Sequence, residues 1–243
     1  MEKTKKRILL ILISILILII GITLYFLYPL LKMKPAETGS INNTNVFALR
    51  NGINSIFFIK SENGYIMIDA GSSANKIEAS LKENDINVTD VKWILLTHSD
   101  SDHVNSLPLF SNAEIYMSED EINLANGTIK RNLFSYNSLP VNTDEINLLY
   151  DGQELLFDNI KVECIKTPGH TDGTMIYLID DKYLFTGDAF MVSNNKLSVH
   201  PFTMDKELAG QTITSKTRRP SSNSTHFSQR SLLVSLRKSK VIR

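Results

Sequence analysis

The chain is nearly without cysteine: Cys164 is the one in 243 residues. That excludes an intramolecular disulfide framework and any zinc module built from cysteine pairs. Net charge is lacking as well, since 26 Lys and Arg balance 26 Asp and Glu. The balance describes no single region. Residues 1–34 carry +5, residues 35–210 carry −13 and residues 211–243 carry +8. The acidic middle offers phosphates no footprint, so no nucleic-acid partner is expected. With 42% hydrophobic and 21% charged residues, the composition is that of a globular chain rather than a disordered one. No internal repeat is apparent, and the length allows one large domain or two small ones.

What is present begins with a long apolar run. Residues 8–31 hold no charge over 24 positions. At about 1.5 Å per residue, a helix of that length crosses the roughly 30 Å hydrocarbon core. Tyr25 and Tyr28 stand near its far end, where interfacial aromatics are favoured. Lys3, Lys5, Lys6 and Arg7 precede it, and positive charge stays cytoplasmic. Residues 1–34 therefore read as a basic cytoplasmic tip and a single-pass anchor in the cell membrane, with the rest extracytoplasmic. A cleaved signal peptide is the alternative. Its apolar core is about 7–15 residues and ends at a small-x-small site, which this run lacks.

Residues 35–45 are polar and read as a linker, and residues 46–210 as the main domain. Apolar runs at Val46–Arg50, Ser55–Lys60 and Tyr65–Asp69, separated by Asn51-Gly52 and Asn63-Gly64, predict a β-meander. Ala74–Asn84 fits an amphipathic helix, with Ile77 and Leu81 four apart. Lys92–Thr97 and Glu114–Met117 predict strands, and Ser118 followed by Glu121 resembles a capping box. Further strands are expected at Glu154–Phe157, Ile160–Lys166, Met175–Asp180 and Tyr183–Thr186, with turns at Asp158-Asn159 and Asp180-Asp181. Interspersed strands and fewer helices point to an α/β fold of stacked sheets with outer helices.

The chemistry concentrates where strands end. Thr97-His98-Ser99-Asp100-Ser101-Asp102-His103 places two imidazoles and two carboxylates within six residues, directly after a buried strand. Such a group makes a poor core, and its donor types suit zinc, iron or manganese. Thr167-Pro168-Gly169-His170-Thr171-Asp172-Gly173 also follows a strand, as does Phe185-Thr186-Gly187-Asp188-Ala189. Each of these two loops alone is a weak signal. Loops on a rigid scaffold are nevertheless where sites are built.

Taken in order, these motifs resemble those of the metallo-β-lactamase-fold hydrolases. Ile68-Asp69-Ala70-Gly71 matches that family's Ile-Asp-x-Gly, and THSDSDH at 97–103 matches its Thr-His-x-His-x-Asp-His. Residues 167–171 match Thr-Pro-Gly-His-Thr, and 185–188 match an apolar residue before Thr-Gly-Asp. The likeness covers residues 45–205. It implies a four-layer αββα sandwich with one or two divalent ions at the edge of the paired sheets, zinc foremost. It further implies His98, His103, His170 and Asp188 as ligands, with Asp188 bridging. Asp102 would bind the second ion and orient the attacking water, and Asp69 would support the ligands from behind. The implied activity is metal-dependent hydrolysis with an activated water.

The chain departs from that pattern at Asp100, where the family has a second histidine. Residues 98, 100 and 102 can point the same way in an extended segment. As a ligand, Asp100 would shift preference toward iron or manganese; otherwise it spoils one position. The family's ending should deliver one more histidine, and His226 has a tolerable spacing from Asp188. Residues 211–243, however, hold eight serines, eight Lys and Arg, no acid and no glycine. The helix begun at Asp205 is expected not to develop. This Ser-rich basic tail reads as a lipid-contacting segment, as a divergent folded end carrying His226, or as a frameshifted ending, and the abrupt change favours the last. His200, in Val-His-Pro-Phe, could approach the site instead, although an isolated histidine reads more readily as structural.

The expected function is a membrane-anchored hydrolase of a small ester, lactone, thioester or phosphodiester. The alternative is a metal-binding or sensing protein of the same fold without turnover. Oligomeric state is not legible in the sequence. Cys164 reads as a small buried apolar residue.

Overall fold

The computed structural model describes residues 2–32, 35–41, 44–133, 135–193, 196–218 and 241–242. The chain divides into two compact units, Met1–Lys34 and Pro35–Arg243. The first is one helix, α1 (Glu2–Lys32), whose stretch Lys3–Tyr25 is long and apolar enough to cross a membrane. A signal sequence near an N-terminus can meet the same criterion of length and apolarity.

The second unit opens with the predicted meander. Strands β1 (Gly39–Ser40), β2 (Val46–Asn51), β3 (Asn54–Lys60) and β4 (Tyr65–Ile68) pair antiparallel in order. Helix α2 (Ala74–Glu83) then crosses over to β5 (Val91–Leu95), which pairs parallel with β4. Two short helices, α3 (Ser101–Val104) and α4 (Ile122–Ala125), flank β6 (Glu114–Ser118). The sheet closes at β7 (Asn147–Leu149), giving seven strands in sequence order.

The second sheet begins with β8 (Glu154–Phe157), β9 (Ile160–Lys166), β10 (Met175–Ile179) and β11 (Tyr183–Phe185), all antiparallel neighbours. Asp158, Asp180 and Asp181 take left-handed backbone at the predicted turns, a conformation Asp tolerates better than most residues. A ribbon of β12 (Met191–Ser193) and β13 (Lys196–Ser198) leads to α5 (Lys206–Arg218). Finally β14 (Val241–Ile242) adds parallel to β11.

Alternation along the strands sorts the core into layers. Val46, Ala48, Phe57, Ile59, Ile66 and Ile68 face Val162, Cys164, Met175, Tyr177 and Phe185 between the sheets. Phe57 and Phe185 meet across this layer at 5.2 Å, and Trp93 meets Phe157 at 5.1 Å. The opposite face of the first sheet, with Leu49, Ile56, Phe58 and Met67, packs on Ile77 and Leu81 of α2. Burying each of those two helix side chains contributes about 1.5–3 kcal/mol. The outer face of the second sheet carries Ile176, Leu178 and Leu184, covered by Phe190, Leu197 and Ile213. The result is the expected αββα sandwich.

Three local expectations are corrected. Strands β1, β7, β12, β13 and β14 were not foreseen, β1 falling within the predicted linker; each is only two or three residues long. Ser118 makes no side-chain cap bond, and the Glu121 carboxylate accepts from Ser99, Thr171 and Gly173. The helix begun after Asp205 does develop, through Arg218 and across the boundary drawn at 210, because Ala209 and Thr212 are buried and Ile213 packs on the second sheet.

Candidate metal centre

The site lies beyond the carboxyl ends of the parallel strands β4 and β5, the edge where parallel sheets gather ligands. Asp69 follows β4 with left-handed backbone at φ 57°. Its Oδ1 accepts from the Thr97 backbone N–H at 2.8 Å, and Thr97 Oγ1 donates to Oδ2 at 2.9 Å. The same Oδ2 lies 2.8 Å from His103 Nδ1. Proton counting then sets both imidazoles. Thr97 has one hydroxyl proton, given to Asp69, so it accepts from His98 Nδ1–H at 2.9 Å. His103 likewise gives its Nδ1–H to Asp69. Both rings are left with Nε2 for the site. A carboxylate behind an imidazole is the usual device for orienting a metal-binding histidine.

The second sheet contributes the facing loops. Met175 N–H donates to Thr97 O at 2.9 Å, which ties the start of β10 to the β5 loop. His170 sits on the β9–β10 loop and is buried. Asp188 follows β11, where Gly187 is required: a Cβ there would stand 2.4 Å from Thr97 Oγ1. Asp188 Oδ2 lies 3.7 Å from His103 Nε2, 3.9 Å from His170 Nε2 and 3.5 Å from His200 Nε2. The four imidazoles form a packed chain, with ring centroids 4.1 Å apart for His98–His103, 4.6 Å for His98–His170 and 5.1 Å for His170–His200.

Asp100 faces the same cluster from the start of α3. Its Oδ2 is 3.5 Å from His98 Nε2 and 3.2 Å from His170 Nε2. Arg131 grips it from the far side, with Nε donating to Oδ1 at 2.6 Å and Nη2 to Oδ2 at 2.8 Å. Asn137 Nδ2 adds a bond to Oδ1 at 2.9 Å.

Ligand atoms therefore converge in three overlapping groups: His98, His103 and Asp188; His98, Asp100 and His170; His170, Asp188 and His200. Within each, the atoms lie within 4.8 Å of one another. The donors fit a divalent ion. His98 Nε2 and both ring nitrogens of His200 are buried without a hydrogen-bond partner, an arrangement that leaves polar atoms uncompensated unless something binds them.

The electrostatics agree. Burial opposes charge on Asp188, yet His103 and its neighbouring imidazoles hold its carboxyl well below the usual range. Asp100 is lowered in the same way, by His170, His98 and Arg131 against its own burial. Burial also works against charge on His103, but Asp69 and Asp188 raise it well above the ordinary histidine value. His98 is raised as well, by Asp100 and Asp188 against burial and His103. In His170 burial prevails and brings the ring down to about 4, and burial lowers His200 too.

Of the residues singled out in the sequence, the structure brings together His98, Asp100, His103, His170 and Asp188, with Asp69 behind them. Asp102 is not in the three groups; its Oδ2 accepts from Asn54 Nδ2, which also lies 3.0 Å from His103 Nε2. His226 lies outside the described residues. The reading of His200 as structural is corrected: it is 3% exposed and stands against Asp188. Arg131, Asn137 and Asn54 were missed, for none lies in a motif, and Glu121 was read only as part of a capping box. Glu121 is fully buried and pins two site loops together. Its Oε1 accepts from Ser99 N and Oγ, and its Oε2 from Thr171 Oγ1 and Gly173 N.

The family model of the metallo-beta-lactamase superfamily matches residues 49–242. The chain belongs to that superfamily. It is 36% identical over 126 residues to the Bacillus subtilis (strain 168) protein named "Probable polyketide biosynthesis zinc-dependent hydrolase PksB", covering 51% of this chain and 48% of that one. It is 29% identical over 140 residues to the hydroxyacylglutathione hydrolase of Glaesserella parasuis serovar 5, covering 56% and 49%. The superfamily member thus spans about half the length of these curated relatives. Among solved structures, the subclass B3 metallo-beta-lactamase BJP-1 of Bradyrhizobium japonicum superposes with TM-score 0.59 at 18% identity, covering 77% of this chain and 76% of that one. Rm3 metallo-beta-lactamase gives 0.58 at 20% identity, covering 79% and 78%.

Proposed function

We propose that this superfamily member is a metal-dependent hydrolase, anchored by α1, that cleaves a small ester, lactone, thioester or phosphodiester. The observation that carries the reading is the convergence of four buried imidazoles and two carboxylates on one spot, with imidazole nitrogens left unpartnered. One ion would take His98, Asp100 and His170. A second would draw on Asp188, which groups with His98 and His103 on one side and with His170 and His200 on the other. Zinc is the first candidate, in line with the name of the Bacillus relative, and the carboxylates leave iron or manganese open.

A divalent ion there supplies Lewis acidity, making water a nucleophile near neutral pH and polarising the oxygen of the electrophile. The protein's own groups do the rest. Asp69 and Thr97 fix the tautomers of His103 and His98. Asp102, with Oδ2 held by Asn54, would be the carboxylate that orients the attacking water. The acidic character of residues 35–210 does not attract large polyanions, so a small substrate is favoured. The basic residues Lys3, Lys5, Lys6 and Arg7 in the first turns of α1 support an N-in orientation with the hydrolase domain outside.

Elemental analysis of the full chain purified in detergent tests the metal, and a panel of lactone, thioester, ester and phosphodiester substrates tests the reaction. Absence of zinc, iron and manganese would sink the reading. Bound metal with no turnover on any substrate would favour a sensing role. Protease added to intact cells should remove the domain but spare the tip of α1.

A further inference from the structure

Asp100 is held in a way that the metal reading alone does not require. Arg131 comes from the segment after α4, and its side chain is 10% exposed. Its Nη2 carries two protons. One goes to Asp100 Oδ2 and the other to Phe202 O at 2.9 Å. None remains for His170 Nε2, although that atom lies 3.2 Å away, so the guanidinium does not compete for that nitrogen. On Asp100, Oδ1 accepts from both Arg131 Nε and Asn137 Nδ2. Oδ2 accepts from Nη2, has His170 Nε2 as a second hydrogen-bond partner at 3.2 Å, and lies 3.5 Å from His98 Nε2. A carboxylate oxygen has two lone pairs. The fork therefore uses Oδ1 fully and leaves one lone pair of Oδ2 aimed between two imidazoles.

We propose that Arg131 is a positioning residue that makes Asp100 a one-oxygen metal ligand and cancels its charge, so that the pair stands in for a neutral imidazole. The proposal rests on the metal-centre reading above. A bare carboxylate could swing, could chelate with both oxygens, and would add a negative charge beside Asp188. The planar fork prevents each of these, as a lysine could not. Residues behind a ligand typically change metal affinity by about 10- to 100-fold when lost.

The test is a cycle of Arg131→Met, Asp100→His and the double variant, each as the full chain in detergent. The readouts are ions bound per chain, zinc affinity by chelator competition, and the visible spectrum of the cobalt-loaded protein. Arg131→Met should weaken the tighter of the affinities that involve His98 and His170 by about 10- to 100-fold, with a changed cobalt spectrum. Asp100→His should weaken it too, because the guanidinium then faces the ion without its carboxylate. The double variant should recover to within a few-fold of wild type. The proposal is overturned if Arg131→Met binds zinc as well as or better than wild type, which would make Arg131 a competitor of the ion. It is also overturned if the double variant is no better than the weaker single, whether or not that single folds. Wild-type chain that binds no metal defeats the metal reading itself, whereas wild-type binding with no coupling between the two positions defeats only this one.

Discussion

The two halves of the cluster are built on different foundations. His103 is backed by Asp69, which hangs between β4 and β5 and is 3% exposed. Its support is part of the sheet, and Asp69 could hardly move without disturbing Thr97 and the β5 loop. Asp100 is backed by Arg131 and Asn137, from a segment whose described residues hold one isolated bridge, Lys130 to Tyr136, and no strand. Leu133 there is 83% exposed. One half is thus set by the fold and the other by a surface segment reaching inward. Segments of the second kind have lower local stability, and a position that depends on one is easier to retune without unfolding the domain.

The largest effect should come from the residue that belongs to both halves. Asp188→Ala removes a carboxylate within 3.5–3.9 Å of three imidazoles. It should cost both ions, more than the roughly 10- to 100-fold loss expected for an outer partner, and reduce hydrolysis to background. Retention of two ions per chain would show that the halves do not share Asp188. Asp69→Asn is the deep-side counterpart of Arg131→Met. It should weaken metal binding by about 10- to 100-fold and destabilise the fold by about 1–3 kcal/mol, because buried donors on Thr97 and His103 lose their acceptor. Arg131→Met should leave the melting temperature of the metal-free protein far less changed. Equal destabilisation by the two would break the contrast between sheet-borne and segment-borne support.

Proton release should rank next. His103 and His98 both hold their protons above the ordinary histidine range, because carboxylates outweigh burial around them. An incoming ion must displace those protons. Affinity should therefore fall as pH falls below the raised values, by up to about tenfold per pH unit for each proton displaced. His170 is down at about 4 and His200 is lowered, so neither should add to the dependence near neutrality. Titrating zinc into weakly buffered metal-free protein should acidify it. The deep half should respond more, since His103 has two carboxylates in contact. Proton uptake, or an affinity flat between about pH 6 and pH 8, would contradict this assignment of charge.

The same contrast governs what was legible beforehand. The strands that flank the site, α2 and five of the cluster residues could be read because apolar runs and motifs are local. His98, Asp100 and His103 sit within a seven-residue stretch, and His170 and Asp188 each occupy a Gly-containing loop after a strand. The supports could not be read. Arg131 lies 31 residues from Asp100 and Asn54 lies 48 from Asp102, and neither position has a pattern to mark it. His200 carried a signal, a lone histidine in Val-His-Pro-Phe, but nothing local distinguishes a buried ligand from a buried core histidine. The turn to α5, tied down where Met204 N–H donates to His170 O at 3.1 Å, brings it to Asp188.

Glu121 offers the smallest and most discriminating test, because it serves both halves at once. Its two oxygens accept four donors, two from Ser99 on the β5 loop and two from Thr171 and Gly173 on the β9–β10 loop. Gly173 has to be glycine for this approach, since a Cβ would fall 2.3 Å from Glu121 N. Burial raises the carboxyl, while those donors and His98 pull the other way. Glu121→Gln keeps the shape but turns an NH2 toward one pair of donors. One loop should lose its acceptor, at a cost of about 1–3 kcal/mol in stability. Metal affinity should fall by less than the roughly tenfold lower bound for a residue directly behind a ligand, because Glu121 touches no ligand side chain. The loss should fall alike on the Asp100 and His103 halves, as the pinned loops carry His98 and His170, which pack against both. A variant that emptied one half and spared the other would mean that the loops move independently, and that the difference between the halves lies in this pin rather than in Asp69 and Arg131.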